Sequence, residues 1–104
     1  MNIQSVEKVK GGLSQELLQE IIDVIVRQVH PSRILLYGSR ARSSYTLTSD
    51  VDIAIDCGED DFLIQSIDEE IRTLLRIDIV NFRKVNKKLQ HEILLDRINL
   101  YEKT

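Results

Sequence analysis

Apolar residues recur at Leu18, Ile21, Ile22, Ile25 and Val29, the three-and-four spacing of one helical face. Ser14 stands where an N-cap belongs, and Glu16 lies near the positive end of the helix dipole. Pro31 bars continuation, so this helix is predicted to end near Val29. "RILLYG" (33–38) is a short apolar run closed by glycine and reads as a strand buried on both faces. "SDVDIAID" (49–56) alternates: Val51, Ile53 and Ile55 face one way, while Asp50, Asp52 and Ala54 face the other. "EDDFLIQSIDEEIRTLLR" (59–76) places Leu63, Ile67, Ile71 and Leu74 on one helical face behind an acidic start. "IDIVNF" (77–82) is a third strand. "VNKKLQHEILLDRINLY" (85–101) carries Leu89, Ile93 and Leu100 at helical spacing and closes the chain. The predicted order is helix, strand, polar turn, strand, helix, strand, helix. That order defines an α/β (α+β) fold, a small mixed sheet covered by helices, with no internal repeats.

Gly11 and Gly12 set a polar leader, residues 1–12, apart from the first helix. With 104 residues, the whole of 1–104 is expected to form one domain with a modest two-layer core. Apolar residues make up 42% and charged residues 30%, ordinary for a globular chain and unlike a disordered one. Cys57 is the single cysteine, so no internal disulfide forms, and a reducing, cytoplasmic setting is expected. No apolar run reaches membrane-spanning length, and the first residues lack the apolar core of a signal peptide. The net charge of −3 argues against nonspecific nucleic-acid binding, which relies on a basic excess. Arg83, Lys84, Lys87 and Lys88 form a local basic cluster that reads as a solvated helix start.

The candidate chemistry lies in the acidic positions of the second and third strands. Residues two apart on a strand share a face, about 6–7 Å apart along the chain, so Asp50 and Asp52 converge on one patch. Two adjacent like charges are costly unless a cation neutralises them. Paired carboxylates at a strand end suit Mg²⁺, a hard ion that prefers oxygen ligands. Asp78 stands inside an apolar strand of its own. If that strand lies beside the second, three carboxylates share one face and could hold two metals about 3.5–4 Å apart. The plainer reading is that an Asp-x-Asp marks a strand end or turn, and that Asp78 is an edge-strand charge. Asp56 reads with Gly58 as a turn, and Glu59, Asp60 and Asp61 as a helix start.

Ahead of the aspartates, Gly38 allows a backbone path closed to other residues and lets a ligand approach closely. Ser39 can cap a short turn made by "RAR", whose free N–H groups favour anions; Arg40 and Arg42 could add charge. An anion cradle beside a carboxylate cluster is what a metal-bound triphosphate needs. The plainer reading is a strand exit with a capping serine.

"GSRARSSYTLTSDVDIAI" (38–55) resembles the Gly-Ser…Asp-x-Asp signature of the DNA polymerase β-like nucleotidyltransferase superfamily. More narrowly, it resembles the minimal nucleotidyltransferases of bacteria and archaea, over roughly residues 14–101. The resemblance implies that Gly38 and Ser39, with Arg40 and Arg42, bind the triphosphate of ATP. It implies that Asp50, Asp52 and Asp78 coordinate Mg²⁺ as catalytic carboxylates, Asp78 helping to deprotonate an acceptor hydroxyl. The family often carries glycine where this chain has Ser43, and serine is less at ease with positive φ. Members commonly pair with a small helical HEPN toxin; the nucleotidyltransferase is then the antitoxin and transfers AMP from ATP to a tyrosine of the toxin. Two other functions stay open: an antitoxin that neutralises its partner by binding alone, and the nucleotide-binding subunit of a split enzyme acting on a small molecule. A homodimer or hetero-oligomer is compatible with each. Among the remaining residues, His30 reads as a helix-end group, His91 as surface, Cys57 as a small buried hydrophobe, and Tyr37 as packing beside the site. Tyr45 sits in the turn loop, where it could contact nucleotide or partner.

Overall fold

The computed structural model describes residues 10–58 and 61–103. Helix α1 (Gln15–Val29) forms where the apolar spacing predicts it. Ser14 is its N-cap, the hydroxyl accepting the Leu17 N–H at 3.1 Å. His30 ends it in the left-handed region at φ 49°, just ahead of Pro31. The helix is rich in β-branched residues of modest helix propensity; burial of Leu18, Ile21, Val24, Ile25 and Val29 on one face is what holds it.

Strands β1 (Arg33–Tyr37), β2 (Val51–Asp56), β3 (Ile77–Asn81) and β4 (Ile98–Glu102) form one sheet in the order β3-β2-β1-β4. β1 is antiparallel to β2 and β4, and β2 is parallel to β3, so the sheet is mixed as expected. Helix α2 (Gly38–Arg42) follows β1 directly, α3 (Asp61–Gln65) follows β2, and α4 (Lys87–Asp96) joins β3 to β4. Among the described residues no helix is long and apolar enough to cross a membrane.

The alternation along β1 and β2 sorts the core into two layers. Ile34, Leu36, Val51, Ile53 and Ile55 pack with α1 and with Ile64, Ile67 and Ile71. On the other face Leu35 and Ala54 meet Ile93 of α4, with Tyr37, Val80, Phe82 and Leu89 at the margin. Each such buried Ile or Leu contributes about 1.5–3 kcal/mol. This second face has three tiers. At one end Asp56 is bound by Arg33 (3.1 Å) and Arg83 (2.7 Å), and the Arg33 guanidinium lies 5.3 Å from the Phe82 ring centre. Leu35, Ala54 and Val80 form the apolar middle. Tyr37, Asp52 and Asp78 form the far end.

Four elements differ from the sequence expectation. The long helix over 59–76 is instead α3 and a 3-10 turn (Ile67–Glu70). The Ser66 hydroxyl donates to the Leu63 carbonyl (2.9 Å), Ile71 turns extended, and the Arg72 N–H donates to the Glu20 carboxylate (2.8 Å). The chain must come down here to lay β3 beside β2, where the Val51 N–H donates to the Arg76 carbonyl (2.8 Å), and Leu74 is left in solvent. The closing helix stops at Asp96. Arg97 leaves the helical region (φ −52°, ψ 143°), and Leu100 belongs to β4, whose pairing with β1 supplies backbone bonds that a longer helix would forgo. Asp56 is the last residue of β2 and not a turn residue, because two arginines hold it there. Residues 10–12 are not a passive leader: Lys10 bridges to Leu13, which is buried in the core. The expectations for residues 1–9, Glu59 and Asp60 lie outside the described residues. His91 is exposed, as are Arg83, Lys84, Lys87 and Lys88, and Cys57 is buried.

Ser43 holds φ 65° and ψ 27° at the end of α2, a left-handed conformation that costs an L-residue about 1–2 kcal/mol. Ser43→Gly is expected to raise the urea midpoint, corresponding to a net gain of about 0.5–1 kcal/mol once glycine's extra chain entropy is subtracted, with the denaturant slope unchanged. Burial pushes the Asp56 carboxyl up, but the hydrogen bonds from Arg83 and Arg33 outweigh it and hold it below the usual 3.8. A depressed carboxyl contributes stability above pH 3.8 that is lost as pH falls through the folded-state value. Asp56→Asn should therefore lower stability at neutral pH and flatten its loss below about pH 4, read by urea titrations across pH.

Candidate functional site

β1 ends where the chain must turn sharply, and Gly38 makes that turn at φ +75°. A Cβ at this position would run into the Asp52 carboxylate, meeting its Cγ at 3.1 Å. Glycine therefore answers two demands, a left-handed backbone and contact with a side chain from the neighbouring strand. α2 opens at this glycine, and its N-cap, Tyr37, makes no side-chain cap hydrogen bond. The first N–H groups of the turn are left for another acceptor. Ser39 is half-buried here, and its carbonyl accepts the Ser43 and Ser44 N–H groups as α2 closes.

Sheet register brings the carboxylates into place. Asp52 stands opposite Tyr37 on β1 and level with Asp78 on β3, so these side chains form a row on one face. Asp50 precedes β2 and is exposed, rather than lying on the strand. Burial raises the Asp52 carboxyl above its usual value; Asp78 and then Asp50 add to this, and Arg42 and Arg76 act against it. The Tyr37 phenol is pushed up to about 12 by burial, then by Asp52 and Asp78, so it is a neutral hydroxyl at physiological pH. Asp78 is tied to Arg76 at 3.2 Å, with side-chain exposures of 40% and 74%, a pair that solvent leaves free to exchange.

Of the two arginines read as phosphate ligands, Arg42 stays beside the carboxylates, where it pairs with Asp96 of α4 at 2.7 Å. Arg40 does not face them. It is 2% exposed, and its guanidinium donates to the carbonyls of Gly11, Thr46, Leu47 and Ser49. The helical turn that points Arg42 outward carries Arg40 inward, and its charge is used up in closing the loop. Tyr45 packs against that guanidinium at 5.1 Å. Tyr37 packs beside the carboxylates, opposite Asp52, and Arg76 and Asp96 join the neighbourhood without having been read as site residues. Arg76 carries the parity of Asp78, a signal available in the sequence; Asp96 carries none.

Among the described residues no group of three or more His, Cys, Asp or Glu is gathered closely enough to cage a metal ion. The donor chemistry nevertheless fits a hard divalent cation. Asp52 and Asp78 are level oxygen donors, their mutual repulsion is what a cation would relieve, and Mg²⁺ takes one or two protein carboxylates and completes its shell with phosphate and water.

A mixed four-stranded sheet with helices on both faces and a glycine turn pressed on a strand carboxylate defines the polymerase β-like nucleotidyltransferase fold. Residues 19–104 match the family model "Polymerase beta, Nucleotidyltransferase", and the chain belongs to that family. No curated protein matches the sequence. Among solved structures, the fold is similar to a chain of a toxin–antitoxin complex with AMP-PNP (TM-score 0.74, 18% identity, covering 84% of this chain and 74% of that one). It is also similar to a chain of the tri-AMPylated Shewanella oneidensis HEPN toxin in complex with MNT antitoxin (0.69, 18%, 86% and 72%). A third similar structure is the toxin–antitoxin MntA–HepT (0.62, 21%, 86% and 74%). At these identities the likeness is one of fold.

A raised carboxyl means that the ionised form is less favourable in the folded chain than in the unfolded one, so stability falls as pH rises from 3.8 through the folded-state value. Asp52→Asn is expected to remove that slope and raise Tm at pH 7 by about 2–4 °C, measured by thermal denaturation. Gly38→Ala should lose about 1–3 kcal/mol in urea unfolding, since it meets both the backbone and the Asp52 obstacle.

Proposed function

We propose that this chain is a Mg²⁺-dependent adenylyltransferase that moves AMP from ATP to a tyrosine hydroxyl of a HEPN-type toxin, and so acts as its antitoxin in the cytoplasm. The observation that carries the reading is the Asp52 carboxylate held against the Gly38–Ser39 turn and level with Asp78. The turn's N–H groups and the Ser39 hydroxyl receive triphosphate oxygens, and Arg42, released from Asp96, adds a guanidinium to them. Asp50, Asp52 and Asp78 would hold the cation, whose chemistry when bound would be to neutralise charge on the α-phosphate and the departing pyrophosphate. The acceptor oxygen attacks the α-phosphorus, and the bond from that phosphorus to the bridging oxygen breaks. Pyrophosphate leaves, and the hydroxyl proton passes to Asp78 once Arg76 turns away. Tyr37, kept protonated, forms a neutral wall of the site and does not compete as a nucleophile. The AMP-PNP complex and the AMPylated HEPN toxin among the structural neighbours support this choice of nucleotide and acceptor.

The second reading is an antitoxin that neutralises its partner by covering it.

Incubating the chain with its toxin, ATP and Mg²⁺ should add one or more AMP units to the toxin by intact mass. Asp52→Asn should abolish the gain while circular dichroism stays native. If Asp50→Asn or Asp52→Asn still silences the toxin without any mass gain, covering is the mechanism and transfer is not.

A further inference from the structure

The guanidinium of Arg40 is buried at 2% exposure, and among the described residues no carboxylate pairs with it. A buried charge without a counter-charge survives only if its donors are met. Here they are met by backbone carbonyls. Nε donates to Ser49 (3.1 Å), Nη1 to Gly11 (2.8 Å), and Nη2 to Leu47 (3.0 Å) and Thr46 (3.4 Å). The Tyr45 ring covers the guanidinium. Three of the four acceptors lie in the loop between α2 and β2, the segment that delivers Asp50 and then Asp52. The same loop is tightened at its end, where the Thr46 N–H donates to the Ser49 hydroxyl (2.9 Å) and the Ser49 N–H donates to the Thr46 carbonyl (3.2 Å).

The fourth acceptor lies elsewhere. Gly11 belongs to the turn before α1, outside the residues that match the family model. That turn is fitted to the same group. A Cβ on Gly11 would meet Leu36 at 2.7 Å and the Arg40 Cβ at 3.1 Å, and a Cβ on Gly12 would strike the Tyr45 ring. Both glycines have positive φ, 61° and 75°. The turn at 10–13, α2 and the loop 43–50 thus close around one guanidinium. Arg40 sits one residue beyond Ser39, and its Nε partner Ser49 sits one residue before Asp50. A single side chain therefore ties the residue after Ser39 to the residue before Asp50.

We propose that Arg40 is a positioning residue: it clamps the loop 43–50 and the Gly11–Gly12 turn so that Asp50 is presented to the divalent cation beside Asp52. What Asp50 is held for rests on the nucleotidyltransferase reading; the clamp itself does not. Lysine cannot replace this group, because an ammonium lacks the planar fork that reaches four carbonyls and stacks on a ring.

The test compares wild type with Arg40→Lys by three readouts: amide hydrogen exchange, Mn²⁺ affinity by electron paramagnetic resonance, and ATP affinity. The expected result is native exchange in β1 and β2, at least ten-fold faster exchange in 46–50, about ten-fold weaker Mn²⁺ binding, and ATP affinity measured without metal unchanged within about two-fold. Tyr45→Leu, which removes only the stacked ring, should move the same amides in the same direction by a smaller factor, and it serves where Arg40→Lys does not fold. Unchanged exchange in 46–50 for the folded variants would overturn the clamp. Weaker metal-free ATP binding with Mn²⁺ affinity intact would overturn the positioning role and make Arg40 a phosphate ligand. If wild type binds neither Mn²⁺ nor ATP, the nucleotidyltransferase reading fails and with it the purpose assigned to Asp50; faster loop exchange in Arg40→Lys would still establish the clamp.

Discussion

The contact between the bare Cα of Gly38 and the carboxylate of Asp52 is the constraint on which the rest of this domain is arranged. It requires β1 and β2 to pair in one register, since a slip of one residue would turn Asp52 into the core and Ile53 out of it. It also requires that the residue after β1 be glycine, because both the left-handed backbone and the proximity of Asp52 exclude a side chain. Given that register, the short turn after β1 opens its N–H groups beside the acidic row, and the parallel pairing of β3 completes the row with Asp78.

The three-tiered face shows how a small domain carries such a site. At the closed end, Asp56 has arginine partners on both sides, and its charge supports the fold. In the middle, Leu35, Ala54 and Ile93 exclude water. At the open end, burial and then the neighbouring Asp78 and Asp50 outweigh Arg42 and Arg76, and the charge of Asp52 opposes the fold. Like residue types on one strand therefore have opposite energetic signs, decided by what lies next to them. The unfavourable end is the one proposed to receive a cation and a triphosphate, and the favourable end holds the edge of the sheet by ion pairs.

Much of this was legible in the chain. The helix over 15–29, the first three strands and the alternation that sorts Val51, Ile53 and Ile55 from Asp52 and Ala54 follow from period and polarity alone. The resemblance carried by 38–55 pointed to the family that the match over 19–104 shows. What misled was short-range ambiguity. Leu89, Ile93 and Leu100 keep helical spacing across a helix end, so β4 was hidden: its five residues carry too little pattern to outweigh it. Leu63, Ile67, Ile71 and Leu74 do the same across the descent from α3 to β3, where Glu20, distant in sequence, takes the Arg72 N–H. Arg40 and Arg42 look equivalent two residues apart, yet one is buried and the other faces solvent.

The sequence by itself determined which segments are helix or strand at the centre of the fold, which faces are apolar, and which side chains bring oxygen chemistry, because these depend on neighbours a few residues away. Tertiary structure alone decided that Asp78 is level with Asp52, that Asp56 is an ion-pair anchor, that Arg40 closes a loop and that the last strand exists. Each of these depends on groups far apart in the chain meeting across the sheet, and local periodicity carries no record of such meetings.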